Sequence, residues 1–164
     1  MADEKMRKPR SRKWLYAAMA GLVLLGIVFV AGTWVANRGE RAVAGVTESY
    51  VAAYAGLDTP KDVPALMPLY AADAVLRDAA RDRTYAGASE IEDALNALLT
   101  TPDFDLNIDR TSVGDDSALV IWTANGKRSD SGRVTQVSGI TLLEVSKGTI
   151  TRETWYYDPA KAPF

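Results

Sequence analysis

Hydrophobic positions change their period along this chain, and each change marks a different kind of element. Residues 14–36 show no polar face at all, since 23 consecutive residues carry no charge. As a helix rising about 1.5 Å per residue, this run reaches roughly 35 Å, enough to cross a hydrocarbon core of about 30 Å. Beyond it Val43, Val46, Tyr50, Ala53, Tyr54 and Leu57 recur at three and four residues, the stripe of an amphipathic helix ending near Gly56 to Asp58. Thr59-Pro60-Lys61-Asp62 reads as the start of a second, shorter helix. Its buried face would be Leu66, Leu69 and Tyr70, with Pro68 kinking or ending it.

Val75 and Leu76 begin a short strand, and Tyr85-Ala86-Gly87 leads into a third helix. There Ser89 and Glu92 match a capping box, Ile91, Leu95, Leu98 and Leu99 form the apolar face, and Pro102 closes the element. From Phe104 the period becomes two, through Leu106 and Ile108 and then Ala118, Val120 and Trp122. Turns are expected at Gly114-Asp115-Asp116, Asn125-Gly126 and Ser146-Lys147-Gly148, and two further strands at about 133–145 and 149–157. Helices followed by a meander predict an α+β domain, with a curved antiparallel sheet wrapped around the N-terminal helices.

The flanks of the apolar run change the picture. Lys5, Arg7, Lys8, Arg10, Arg12 and Lys13 precede it, whereas Arg38 and Arg41 follow with Glu40 between them. This asymmetry orients a single transmembrane helix with its N-terminus in the cytoplasm and the rest of the chain outside it. Trp14, Tyr16 and Trp34 stand where the two headgroup regions would be. A cleaved signal peptide would have a shorter apolar core and a nearby small-x-small site, and a buried core helix would be shorter with a polar face. The chain therefore divides into a basic cytoplasmic tail (1–13), a transmembrane helix (14–36), a short linker (37–41) and an α+β domain (42–164).

Composition then restricts the chemistry. The 164 residues include no His and no Cys, which excludes a Ser-His-Asp triad, a cysteine nucleophile and a zinc finger within the chain. Residues 37–164 carry 13 basic and 19 acidic side chains, a net charge of −6, which argues against a nucleic-acid partner. Asp115-Asp116 beside Gly114 reads as a turn, with weak Ca2+ binding the remote alternative, and no metal or cofactor is expected.

Several stretches carry a family resemblance. They are Tyr50-Val51-Ala52-Ala53, Leu69-Tyr70-Ala71-Ala72-Asp73-Ala74-Val75-Leu76-Arg77-Asp78, and Tyr85-Ala86-Gly87 ahead of a helix. Residues 139–145, Lys147-Gly148-Thr149-Ile150 and Trp155-Tyr156-Tyr157-Asp158 complete the set. Across nearly all of residues 42–158 the chain resembles SnoaL-like domains of the nuclear transport factor 2-like superfamily, which includes ketosteroid isomerases and polyketide cyclases. The resemblance implies a cone-shaped sheet around a pocket closed by helices, commonly in a homodimer formed through the sheet. It also implies roles for two residues: Tyr50 falls where the isomerases carry the oxyanion-donating tyrosine, and Asp78 where they carry the aspartate that moves the proton. The isomerases' second oxyanion donor, a protonated aspartate, has no counterpart here. The chain reads Ser138-Gly139-Ile140 at that point, with no carboxylate between Asp130 and Glu144, and Ser138 is the nearest replacement.

Each candidate also has a plainer reading. Asp78 is placed to pair with Arg77, Arg81 or Arg83, or to cap a turn. Tyr50 lies on an apolar helix face, where a packed phenol serves equally well. Tyr70, Trp122 and Trp155 suit a ligand cage or ordinary core packing. Losing one oxyanion donor costs about 100- to 1000-fold in rate. The expected function is accordingly a non-catalytic accessory or binding module at the outer membrane surface, taking a small apolar molecule or a membrane-complex partner. The alternative is a tethered isomerase or cyclase that uses Asp78 as base and Tyr50 as oxyanion donor.

Overall fold

The structure is a computed structural model that describes residues 39–57 and 60–164. The basic tail 1–13, the apolar run 14–36 and residues 37, 38, 58 and 59 lie outside the described residues. Among the described residues, no helix is long and apolar enough to cross a membrane.

Helix α1 spans residues 39–54, so the described part of the expected linker, 39–41, forms its first turn. The stripe from the sequence is its buried face: Val43, Val46, Tyr50 and Tyr54 are all buried. The second helix does not form. Prolines at 60, 64 and 68 each remove an amide donor, and the chain instead takes two 3-10 turns, Pro60–Ala65 and Met67–Leu69. These are tied by Leu66 N–H to Val63 O and by Leu69 N–H to Leu66 O, both at 2.9 Å, and they bury Val63 and Leu66. Tyr70 already belongs to the first strand, β1 (Tyr70–Asp78), which turns into β2 (Arg83–Ala86).

Helix α2 (Ala88–Leu99) buries Ile91, Leu95, Leu98 and Leu99, as its spacing requires. Ile91 and Leu95 are almost wholly enclosed, and each contributes about 2 kcal/mol by leaving water. The Ser89/Glu92 capping box is absent. Because β2 stays paired as far as Gly87, whose N–H bonds to Ala74 O at 2.8 Å, the helix starts one residue before Ser89. Its entry is held by the Glu90 carboxylate, which accepts the Ala86 N–H at 2.8 Å.

A meander of β3 (Asp105–Val113), β4 (Ser117–Lys127), β5 (Val134–Ser146) and β6 (Thr149–Tyr157) completes the fold. The six strands run in the order β2-β1-β6-β5-β4-β3. The sheet is mixed rather than antiparallel, because β1 and β6 pair in parallel, with Leu76 opposite Glu153 and Asp78 opposite Trp155. Parallel partners need a long crossover, which the chain between β1 and β6 supplies. Register shifts in β1, β3 and β6 bend the sheet around its core.

Asn125-Gly126 is not a turn. Strand β4 continues through it, and the reversal comes at Arg128 to Arg133, joined by Arg128 N–H to Arg133 O at 3.0 Å. The glycine serves close approach instead, since a Cβ there would lie 2.9 Å from Pro163 Cβ and 3.1 Å from Thr101 Cγ2. Gly139 on β5 is needed in the same way. The Trp122 indole lies across it, and a Cβ would stand 2.2 Å from Trp122 Cζ2.

Candidate functional site

Alternation along β6 turns Glu153, Trp155 and Tyr157 toward the helices and leaves Tyr156 on the outer face, 50 % exposed. Glu153 is fully buried, and among the described residues it has no cationic partner. Three neutral donors meet it instead. The Tyr50 hydroxyl and the Trp155 indole N–H each donate to Oε1 at 2.6 Å, and the Tyr70 hydroxyl donates to Oε2. Burial pushes the Glu153 carboxyl above its ordinary value, while the hydrogen bonds from Tyr50, Tyr70 and Trp155 pull it back. Burial, and next to it the charge of Glu153, raises the phenols of Tyr50, Tyr54 and Tyr70 well above theirs, so all three stay protonated. The Tyr54 ring packs tilted against Tyr50 at 4.4 Å, and among the described residues its buried hydroxyl has no hydrogen-bond partner.

Asp78 closes β1 and is only 3 % exposed. Its Oδ1 accepts the backbone N–H groups of Ala80 and Arg81, both at 3.1 Å, and so caps the turn into β2. Its Oδ2 accepts the Tyr157 hydroxyl at 2.6 Å and the Arg81 guanidinium at 3.3 Å. Burial and the adjacent Asp78 carboxylate push the Tyr157 phenol up. Arg81 also donates to the Tyr157 hydroxyl and to the main-chain oxygen of Phe164, and it lies 5.3 Å and 5.2 Å from the centres of those two rings. About four lone-pair directions are available on a carboxylate, and four donors fill them here.

Two hollows lie against these clusters. An apolar cavity of about 20 Å3, room for one water, is lined by Tyr50, Tyr54, Ile108, Trp122, Trp155 and Phe164 among others. The Trp122 indole N–H donates to Thr141 Oγ1 at 2.9 Å in its wall. A wider cleft of about 340 Å3 is lined by Asp78, Arg81, Arg83, Tyr85 and Thr101. Leu98, Trp155 and Phe164 border both hollows.

The expected residues are thus divided. Tyr50 borders the apolar cavity and Asp78 the cleft. Each has its polar atoms bonded within the protein, Tyr50 to Glu153 and Asp78 to Arg81 and Tyr157. Trp122 and Trp155 do line the cavity, but Tyr70 is turned to Glu153. Ser138 does not replace the missing donor, because it sits exposed on the outer face, 3.3 Å from the Thr123 hydroxyl. Asp116 belongs to the β3–β4 turn, where it accepts the Ser117 hydroxyl at 3.0 Å. Among the described residues, no group of three or more acidic side chains is arranged to hold a metal.

Sequence reasoning overlooked Glu153 and gave Arg83 only as a partner for Asp78. The signal for Glu153 was its parity with Trp155 and Tyr157, which puts a carboxylate on the side of the strand that the aromatics bury.

A family model described as "SnoaL-like domain" matches residues 46–153. No curated protein matches the chain. Solved structures do. A protein with a ketosteroid isomerase-like fold from Catenulispora acidiphila, determined with trimethylamine, has a TM-score of 0.61 at 21% identity, covering 71% of this chain and 87% of its own. A protein from Xanthomonas campestris pv. campestris, provisionally assigned as a polyketide cyclase, has a TM-score of 0.60 at 17% identity, covering 73% and 92%. An NTF2-like protein of unknown function from Mesorhizobium loti has a TM-score of 0.59 at 23% identity, covering 72% and 92%. At these identities the likeness is one of fold.

Proposed function

Because the chain belongs to the SnoaL-like domain family, with the nuclear transport factor 2-like fold, we propose that it works as a binding module for a small apolar molecule rather than as a catalyst. The observation that carries this reading is the state of Asp78. With four donors on its two oxygens, it has no open lone pair to take a proton from a substrate. Tyr50 supports the same reading, since its hydroxyl proton is already given to Glu153 and is not free for an oxyanion. The wall next to them, Leu98, Trp155 and Phe164, also borders the cleft of about 340 Å3, which gives an apolar guest a surface to rest on.

Residues 14–36 hold this domain at the outer face of the cell membrane as a single span, with the basic tail in the cytoplasm. The support is the uncharged length of that run and the charge asymmetry of its flanks. A partner of the sheet face, a second copy or a membrane-complex subunit, is favoured by one feature. Ile121, Ile140 and Tyr156 stand in a single cross-strand row, 36 %, 40 % and 50 % exposed, on the outer face.

Extraction tests both parts of the proposal. After lysis the chain should sediment with membranes and require detergent for release, and mass spectrometry of the released protein should show a co-purifying apolar small molecule. A chain that remains in the aqueous fraction contradicts the tether. Repeated release without any small molecule contradicts the binding role.

A further inference from the structure

We infer that the ligand is an apolar body carrying a carboxylate, and that Arg83 holds that carboxylate in the cleft beside the apolar cavity. This rests on the binding role proposed above and specifies what is bound.

Three charged side chains border the cleft: Asp78, Arg81 and Arg83. Asp78 and Arg81 neutralise each other at 3.3 Å, and the Arg81 guanidinium also donates to Tyr157 and to the Phe164 main chain. Arg83 sits directly opposite Asp78 in the β1–β2 register, is exposed, and makes no ion pair among the described residues. The cleft's side chains therefore leave one positive charge, that of Arg83, without an acidic partner among the described residues. That charge favours an anionic head group over a cationic one, and the planar guanidinium fork suits the two oxygens of a carboxylate.

The apolar requirement comes from the shared wall. Leu98, Trp155 and Phe164 face both hollows, so a molecule whose head lies at Arg83 rests its body on them. The inner cavity, about 20 Å3, admits a larger body only when a wall moves. Phe164 is part of that wall. It is half-buried, its ring is edge-on to Tyr157 and Phe104 at 5.4 Å and 6.0 Å, and Arg81 lies 5.2 Å from that ring and bonds the Phe164 main-chain oxygen.

Calorimetry on the full chain in lipid nanodiscs, blanked against empty nanodiscs, tests this with three probes that share one body: 4-phenylbutyrate, 4-phenylbutanol and 4-phenylbutyltrimethylammonium. The acid should bind about tenfold more tightly than the alcohol, and the cation most weakly. Arg83→Ala should bring the acid down to the affinity of the alcohol and leave the alcohol unchanged. Arg83→Lys should recover part of the loss, as a point charge without the fork. Raised ionic strength should weaken the acid alone. Because Arg83 is exposed and carries no structural bond, the variants should retain the wild-type circular dichroism. Equal affinities for the three probes, or an acid affinity unmoved by Arg83→Ala, would overturn the head-group assignment and leave the binding role standing. Absence of binding by all three would overturn both.

Discussion

Glu153 and Asp78 are both buried carboxylates, yet Asp78 has a guanidinium beside it and Glu153 has only phenols and an indole. The difference decides how the domain responds to pH. Burial raises the folded-state value of Glu153 above its ordinary 4.5, so the folded chain holds that proton more tightly than the unfolded one. The stability that Glu153 contributes is therefore complete below its unfolded value and is lost as pH rises through the raised one. Glu153→Gln imitates the protonated acid and removes this dependence. Unfolding midpoints across a pH series should agree between wild type and variant in acid, and the variant should gain on the wild type as pH increases. A constant difference across the series would contradict a titrating Glu153. At this scale the sequence was legible for local pairing, since Asp78 does pair with Arg81 and cap a turn, and not for distant pairing. Tyr50 is buried on the apolar helix face where its spacing put it, while its bond to Glu153 joins residues 103 positions apart, a separation no local pattern encodes.

Elements with a strong period were the readable ones. The stripe of α1, the four leucine and isoleucine positions of α2 and the alternation of β4 all correspond to buried faces. Misreadings arose where two periods coincide or where a glycine had two uses. Leu66, Leu69 and Tyr70 have helical spacing, but three prolines deny the helix its amides, and Tyr70 pairs with Ile150 in the sheet. Asn-Gly ordinarily marks a hairpin turn, but at Asn125-Gly126 the missing side chain makes room for Pro163. Gly139 offers the sharper test. Gly139→Ala puts a methyl group into the Trp122 ring and displaces the indole from Thr141. Thermal or urea unfolding should show a loss of about 1–3 kcal/mol, with an altered tryptophan emission spectrum. A neutral Gly139→Ala would mean that the indole does not lie across β5 as described.

For the molecule as a whole, the mixed sheet, its two covering helices and the aromatic cavity form one folded unit, residues 38–164, and the chemistry inside it is largely self-satisfied. Nothing in the local patterns required β1 to lie parallel to β6, because that pairing is fixed by a crossover about 70 residues long. The α+β class was legible from the order of helices and strands, but not the parallel pairing that makes the sheet mixed or the buried Glu153 cluster. The most direct measurement is a proton NMR time course of the full chain in nanodiscs with ketosteroid- and polyketide-type compounds, run beside Asp78→Asn. The account predicts saturable line broadening of a bound compound, in wild type and variant alike, with no new signals over time. Product signals that grow with the wild type and vanish with Asp78→Asn would contradict it.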